Sequence, residues 1–304
     1  MKKIKSVISV VLLLMASIVN AQQLDSYSLF YNDLYLVNPA YAGVKQNLEL
    51  TTAIKQKWSG FAGAPSFQTL SGHMRFMDNM GAGGRIFNYS AGMENKLGLE
   101  GTYAYRLQLG GSMYLSMALS AVLYQYSINK FLINAKDDYD LTVMKATDKM
   151  IVPDFNFGMF FYDEDKHYYT GLSVYQLMGR KVSLLNQDNL ENRQIRHYNF
   201  TGGYFMDIND NVSIESGLLL KFIETGYLQL DFNVNATFMK MFNVGVSYRT
   251  DNAVVAMFGL KTGSFMFGYA YDYTLSDIGK YSVGSHEIFL TYQFGSNSDG
   301  ATKF

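Results

Sequence analysis

From Leu228 to Phe238 the chain reads L-Q-L-D-F-N-V-N-A-T-F, apolar and polar residues in strict alternation. That period of two is a β-strand with one greasy face and one wet face. The wet face holds Gln229, Asp231, Asn233, Asn235 and Thr237, which is too polar for a packed core. The strand therefore reads as inverted, with Leu228, Leu230, Phe232, Val234, Ala236 and Phe238 toward lipid and the amides toward a lumen. Segments of this kind recur along most of the chain, and their recurrence is the mark of a transmembrane β-barrel.

Alternation and turn residues predict about fourteen antiparallel strands, at 47–58, 66–76, 82–90, 96–108, 112–127, 153–162, 167–177, 197–206, 212–223, 227–238, 241–249, 253–261, 264–273 and 284–294. The connections test this count. The long ones, 128–152, 178–196 and 274–283, all follow odd strands. The tight ones follow even strands, at Asp78-Asn79, Gly110-Gly111, Glu164-Asp165, Asn209-Asp210, Met239 to Met241 and Thr262-Gly263. Outer-membrane barrels have short periplasmic turns and long extracellular loops, so an even count with a periplasmic N-terminus satisfies the pattern. The last strand closes on Ile288, Leu290, Tyr292 and Phe294, an alternation that resembles a barrel-assembly signal.

The organisation that follows has four parts. Residues 1–21 read as a secretory signal peptide: Lys2, Lys3 and Lys5 precede an apolar stretch from Val7 to Met15, and Val19-Asn20-Ala21 offers a cleavage point. Residues 22–46 lack strand character and are expected to lie in or beneath the barrel. Residues 47–294 form the barrel, and 295–304 a short tail. Composition agrees. Aromatics make up 15% of the chain, which suits interfacial girdles, and three prolines leave long ladders uninterrupted. A net charge of -1 argues against a nucleic-acid partner. The chain has no cysteine, and no segment after the leader reaches the roughly 20 apolar residues of a membrane helix.

No catalytic constellation emerges, and no metal or cofactor is expected. His73, His167, His197 and His286 fall on different predicted strands without metal-ligand spacing. His286-Glu287 reads as a hydrogen-bonded polar pair sooner than an acid–base couple. Gly81-Ala82-Gly83-Gly84 lacks the lysine and following helix of a phosphate loop, and marks a close approach in the wall. Asp137-Asp138-Tyr139-Asp140 reads as a solvated loop tip before a calcium site. Charges of both signs are expected in the lumen: Glu49, Lys55, Lys57, Glu100, Arg106, Glu215, Lys221, Asp231, Arg249, Lys261 and Asp272. Such a mixture suits a filled lumen better than a pore selective for one ion sign.

An ordered set of motifs resembles the PorP/SprF family. It comprises Asn38-Pro39-Ala40-Tyr41-Ala42-Gly43, Trp58 with Gly63-Ala64-Pro65, and Gly81-Ala82-Gly83-Gly84-Arg85-Ile86 with Gly92. It continues through Tyr103-Ala104-Tyr105-Arg106, Pro153 with Asn156-Phe157-Gly158, Tyr169-Thr170-Gly171-Leu172-Ser173, and Tyr271-Asp272-Tyr273-Thr274-Leu275-Ser276. Gly284-Ser285-His286-Glu287-Ile288 completes it. The resemblance spans the mature chain. It implies a non-enzymatic outer-membrane component of the type IX secretion system of Bacteroidota, serving gliding motility or surface adhesins. Its partners would be outer-membrane lipid, other secretion components and adhesin-like cargo with a C-terminal sorting domain. The motif positions Asn38, Pro39, Ala40, Tyr41, Gly43, Trp58, Pro65, Gly84, Arg106, Asp272, Gly284, Ser285, His286 and Glu287 are then expected to serve structure or partners. The rival expectation is a passive porin or transporter for small or hydrophobic solutes. A lumen blocked by residues 22–46 would favour the secretion component, and an open path the transporter.

Overall fold

A computed structural model describes residues 27–129, 149–165, 167–182, 184, 193–250 and 253–295. The expected signal peptide, the acidic tip at 137–140 and the tail beyond Gly295 lie outside the described residues. Fourteen antiparallel strands close into a barrel in which each pairs with its sequence neighbours and β1 pairs with β14. They are β1 (Glu49–Gln56), β2 (Ser66–Met77), β3 (Met80–Ala91), β4 (Glu94–Gly110), β5 (Met113–Ile128), β6 (Lys149–Asp163) and β7 (Tyr168–Tyr175). The second half comprises β8 (His197–Asn209), β9 (Val212–Ile223), β10 (Leu228–Phe238), β11 (Phe242–Arg249), β12 (Ala253–Thr262), β13 (Phe265–Thr274) and β14 (Ser285–Gln293). The expected fold class and strand order stand.

The inverted pattern stands as well. On β10 Phe232 is 50% exposed on the outer wall, while Asn233 and Gln229 are fully covered inside. Leu50, Ile54, Leu70, Leu99, Leu119, Leu172, Val246 and Ile288 form the same apolar outer surface. The largest difference from the expected boundaries is β6, which begins at Lys149 and carries Pro153 opposite Leu123. At that height β6 pairs only with β5, because its ladder to β7 starts at Phe157. An edge accepts a residue without an N–H, so proline does not end the strand.

The C-terminal ends of β1, β5, β7 and β13, from which the four longest connections leave, lie at one end of the barrel, and the tight turns after even strands lie at the other. We call these the long-loop end and the short-turn end.

Candidate functional site

The lumen is filled. Residues 28–31 and 33–44 are buried, and they wind through the barrel as three 3-10 turns, Phe30–Asn32, Leu34–Leu36 and Pro39–Tyr41. Asp33 and Asn38 cap the second and third turns by accepting the N–H groups of Tyr35 and Ala40, both at 3.0 Å, the ordinary capping role of these side chains. Pro39 stands at the first position of its turn, where its missing N–H is not needed.

The plug is tied to the wall at three heights. Toward the long-loop end, Ser28 and Leu29 donate their backbone N–H groups to the two oxygens of Glu287, at 2.6 and 3.0 Å. The Ser28 hydroxyl donates to Asp272 at 2.8 Å and accepts from Lys55 at 2.6 Å and Arg249 at 3.1 Å. Lys55 in turn bridges Asp272 at 2.8 Å and Glu287 at 3.3 Å, and Arg249 spans Asp272 at 2.8 Å and Asp231 at 3.1 Å. Charges in a covered lumen persist only when paired, and here five strands, β1, β10, β11, β13 and β14, supply the pairs.

At mid-height His73 lies 3.3 Å from Asp33 of the plug and 3.5 Å from Glu49. The hydroxyls of Tyr35, Thr102 and Ser120 form a chain at 2.8 and 2.7 Å. Arg85 pairs with Glu100 and donates to the Leu36 carbonyl at 3.0 Å. Ser173 and Asn199 both donate to the Val37 carbonyl, at 2.7 and 3.2 Å. Asn38 donates to the Met159 carbonyl at 2.9 Å.

Toward the short-turn end, Arg75 donates to the carbonyls of Gly43, at 2.9 Å, and Val44. Gly43 adopts φ +76°, and the Cα of Gly81 approaches so closely that a Cβ on Gly43 would sit 2.6 Å from it. Gly83 and Gly158 make similar room for the Tyr35 ring and the Asn38 amide, since a Cβ there would meet them at 2.7 and 2.4 Å. Tyr41 wedges between His73 and Phe160, with ring centroids 5.5 and 5.4 Å away. The two glycine-bearing motifs thus read as one device, a plug and the wall cut to receive it.

The chain enters β1 at the short-turn end. The described segment itself begins at the opposite end, where Tyr27 packs its ring on Phe67 at the long-loop end of β2. The segment descends through the lumen before β1 climbs back.

The remaining motif positions separate into two groups. Asp272, Glu287 and Ser285 belong to the long-loop half: Ser285 accepts the Trp58 N–H at 3.1 Å, and Pro65 accepts the Lys57 N–H at 2.8 Å. Trp58 and Gly284 hold left-handed φ values of 45° and 91° in the connections after β1 and before β14. Arg106 stands apart near the short-turn end, donating to the Tyr162 hydroxyl and the Asp78 carbonyl, both at 3.1 Å. Gly84 has only the Glu100 carbonyl near its missing Cβ, at 3.7 Å, and does not touch the plug. His286 and Glu287 do not act as a pair. Alternation turns Glu287 into the lumen and leaves His286 to hydrogen-bond the Tyr269 hydroxyl at 2.7 Å. Among the described residues no group of three or more His, Asp or Glu side chains could hold a metal.

Above the plug, at the long-loop end, lies a cavity of about 150 Å³. Leu36 and Val37 contribute its floor, and Phe67, Tyr89 and Tyr124 are among its walls, with Lys96, His197 and Lys221. Lys221 was expected in the lumen from the alternation. Lys96 and Arg85 were not, although both keep the parity of their strands, which is the signal that could have found them.

A family model described as "Type IX secretion system membrane protein PorP/SprF" matches residues 19–292. Among solved structures, the Ralstonia pickettii toluene transporter TbuX aligns with TM-score 0.50 and 9% identity, over 85% of this chain and 92% of that one. The CymD monoaromatic hydrocarbon channel aligns with TM-score 0.50 and 11% identity, over 86% and 92%. At such identity the likeness is one of fold. A comparison with curated proteins gives no match.

Proposed function

The chain belongs to the PorP/SprF family of type IX secretion system membrane proteins, and from that premise we propose that it is a plugged outer-membrane partner of secretion, needed for export or surface retention of large cargo such as adhesins. In this reading it performs no chemistry. It offers a rigid barrel whose long loops face outward and dock cargo bearing a C-terminal sorting domain, while other secretion components meet it at the membrane. Loops on a rigid scaffold are where proteins commonly place recognition.

The observation that carries the reading is the anchored plug. Residues 28–44 fill the axial route and are held at three heights by buried charge pairs and hydrogen bonds to strands around the wall. A barrel built to conduct solutes along its axis would gain nothing from that bracing. The second reading, a passive transporter for small or hydrophobic solutes, draws on the likeness of fold to a toluene transporter and a hydrocarbon channel, and requires the plug to yield.

Deletion of the gene separates the two. Secretion predicts that one or a few large proteins vanish from the surface-shaved peptides while solute uptake is unchanged. An intact surface proteome with slowed uptake of an aromatic solute would replace the secretion reading by transport.

A further inference from the structure

β6 is open on one side toward the long-loop end. Its ladder to β5 runs without a shift from Asp163 to Lys149, whereas its ladder to β7 stops at Phe157. Past β7 the chain holds on for three residues. Gln176, Leu177 and Met178 donate their N–H groups to the Asn156 amide oxygen, the Phe155 carbonyl and the Asp154 carboxylate, at 3.1, 3.0 and 2.9 Å. Gly179 then adopts φ +55° and the chain turns away. The Phe155 carbonyl faces the β7 side, so strand parity sends the N–H and C=O of Ile151 and the C=O of Pro153 to that side as well. Among the described residues none of these three groups has a hydrogen-bond partner. The cleft left there holds about 350 Å³, with residues 150–153 on one side and Met178, Arg180 and Lys181 on the other.

The rim of this cleft is basic and its outer face apolar. Lys149 and Arg180 are exposed, and neither side chain forms an ion pair or a hydrogen bond among the described residues. Asp154, the carboxylate on this stretch of β6, is buried and accepts the N–H groups of Phe155 and Met178, at 2.7 and 2.9 Å. Ile151 is 66% exposed, and Phe155 and Met178 are exposed with it. They continue the apolar wall that the barrel turns to lipid. Main-chain groups beside hydrocarbon have no water to bond, and leaving them unmet costs several kcal/mol each.

We propose that the open edge of β6 binds a phosphate-bearing lipid whose headgroup also carries hydroxyl or amide donors. Its phosphate sits at Lys149 and Arg180, its donors meet the carbonyls of Ile151 and Pro153, and an acyl chain lies along Ile151, Phe155 and Met178. Two features select lipid over an added peptide strand. The site is continuous with the lipid-facing wall, and Pro153 offers no N–H to a further ladder. The charge of a phosphate complements the basic rim. The inference is independent of what the protein secretes.

The test uses the full-length protein, purified in a non-ionic detergent, and native mass spectrometry with three probes: diphosphoryl lipid A, the same lipid stripped of its phosphates, and phosphatidic acid. Diphosphoryl lipid A is expected to bind roughly tenfold or more tighter than its phosphate-free form, the size of effect that a charge-assisted contact supplies. Phosphatidic acid, which has the phosphate without the sugar hydroxyls and amides, is expected to fall between them. The preference for phosphate is expected to collapse in K149Q/R180Q and to persist in K149R/R180K, with heat-modifiable gel mobility showing that both variants fold. A benzophenone side chain in place of Ile151, irradiated in the native membrane, is expected to cross-link lipid. Equal binding of the two lipid A forms, phosphatidic acid bound as tightly as lipid A, or an unchanged preference in folded K149Q/R180Q would overturn the proposal. A polypeptide adduct at position 151, or no adduct, would overturn it as well.

Discussion

Glu287 receives the backbone N–H of Ser28 on one carboxylate oxygen and that of Leu29 on the other, at 2.6 and 3.0 Å. A wall strand thereby grips the main chain of the plug, and Lys55, 3.3 Å away, balances the charge. Glu287→Ala removes the grip and leaves Lys55 with the Asp272 carboxylate and the Ser28 hydroxyl. Breaking a buried pair on one side destabilises by roughly 3–5 kcal/mol. The expected outcome is a plug loosened at its upper end: conductance steps in planar bilayers from the variant and none from the parent. A variant as silent as the parent would show that the seal lies lower, at Arg85 or Arg75.

The wall glycines give a second test, because each serves a different neighbour. A methyl group at Gly158 would lie 2.4 Å from the Asn38 amide oxygen and 2.9 Å from the Ala40 nitrogen, whereas one at Gly84 meets nothing nearer than 3.7 Å. Overpacking of this kind destabilises by roughly 1–3 kcal/mol. Gly158→Ala is expected to lower the temperature at which the folded gel band is lost and to speed proteolysis within residues 28–44. Gly84→Ala is expected to match the parent. Equal behaviour would mean that the plug does not depend on this fit.

The barrel was legible because lipid imposes period two and an outward apolar face on every strand, and because loop parity checks the count. The plug's path was not. Residues 28–44 have no period to read, and their partners, such as Glu287 for Ser28 and Asn199 for Val37, lie far away in sequence. Alternation also says which side chains face inward but not how crowded they are. Asn233 and Asn235 read as wet lumen residues, yet both are fully covered, their amides lying across Gly217 and Gly245 on neighbouring strands. The cavity above the plug was missed for a related reason: Lys96, Lys221 and His197 come together only when β4, β8 and β9 curve round the closed wall.

The outer face is tested by charge. Phe232, half exposed at the middle of β10, should not accept arginine, which at the midplane of a barrel costs roughly 2–4 kcal/mol. Phe232→Arg is expected to reduce the folded, heat-modifiable form in the membrane fraction. Asp210→Arg, in the exposed turn between β8 and β9, is expected to leave it unchanged. Equal folding of the two would mean that β10 does not present Phe232 to lipid.

Orientation is the remaining question, and the absence of cysteine makes it direct. Tyr281 stands 76% exposed in the connection between β13 and β14, at the long-loop end, and Asp210 is exposed at the short-turn end. With the long loops outward, a cysteine at Tyr281 labels on intact cells with a membrane-impermeant maleimide, and one at Asp210 labels only after the outer membrane is opened. The two substitutions sit on exposed loops, so neither should disturb folding, and the parent supplies a blank background. Tyr27 shares the end of the barrel that holds Tyr281, so labelling at Tyr281 alone would also place Tyr27 toward the cell exterior. Labelling at Asp210 alone would turn that end toward the periplasm, and the docking role of the long loops would have to be given up.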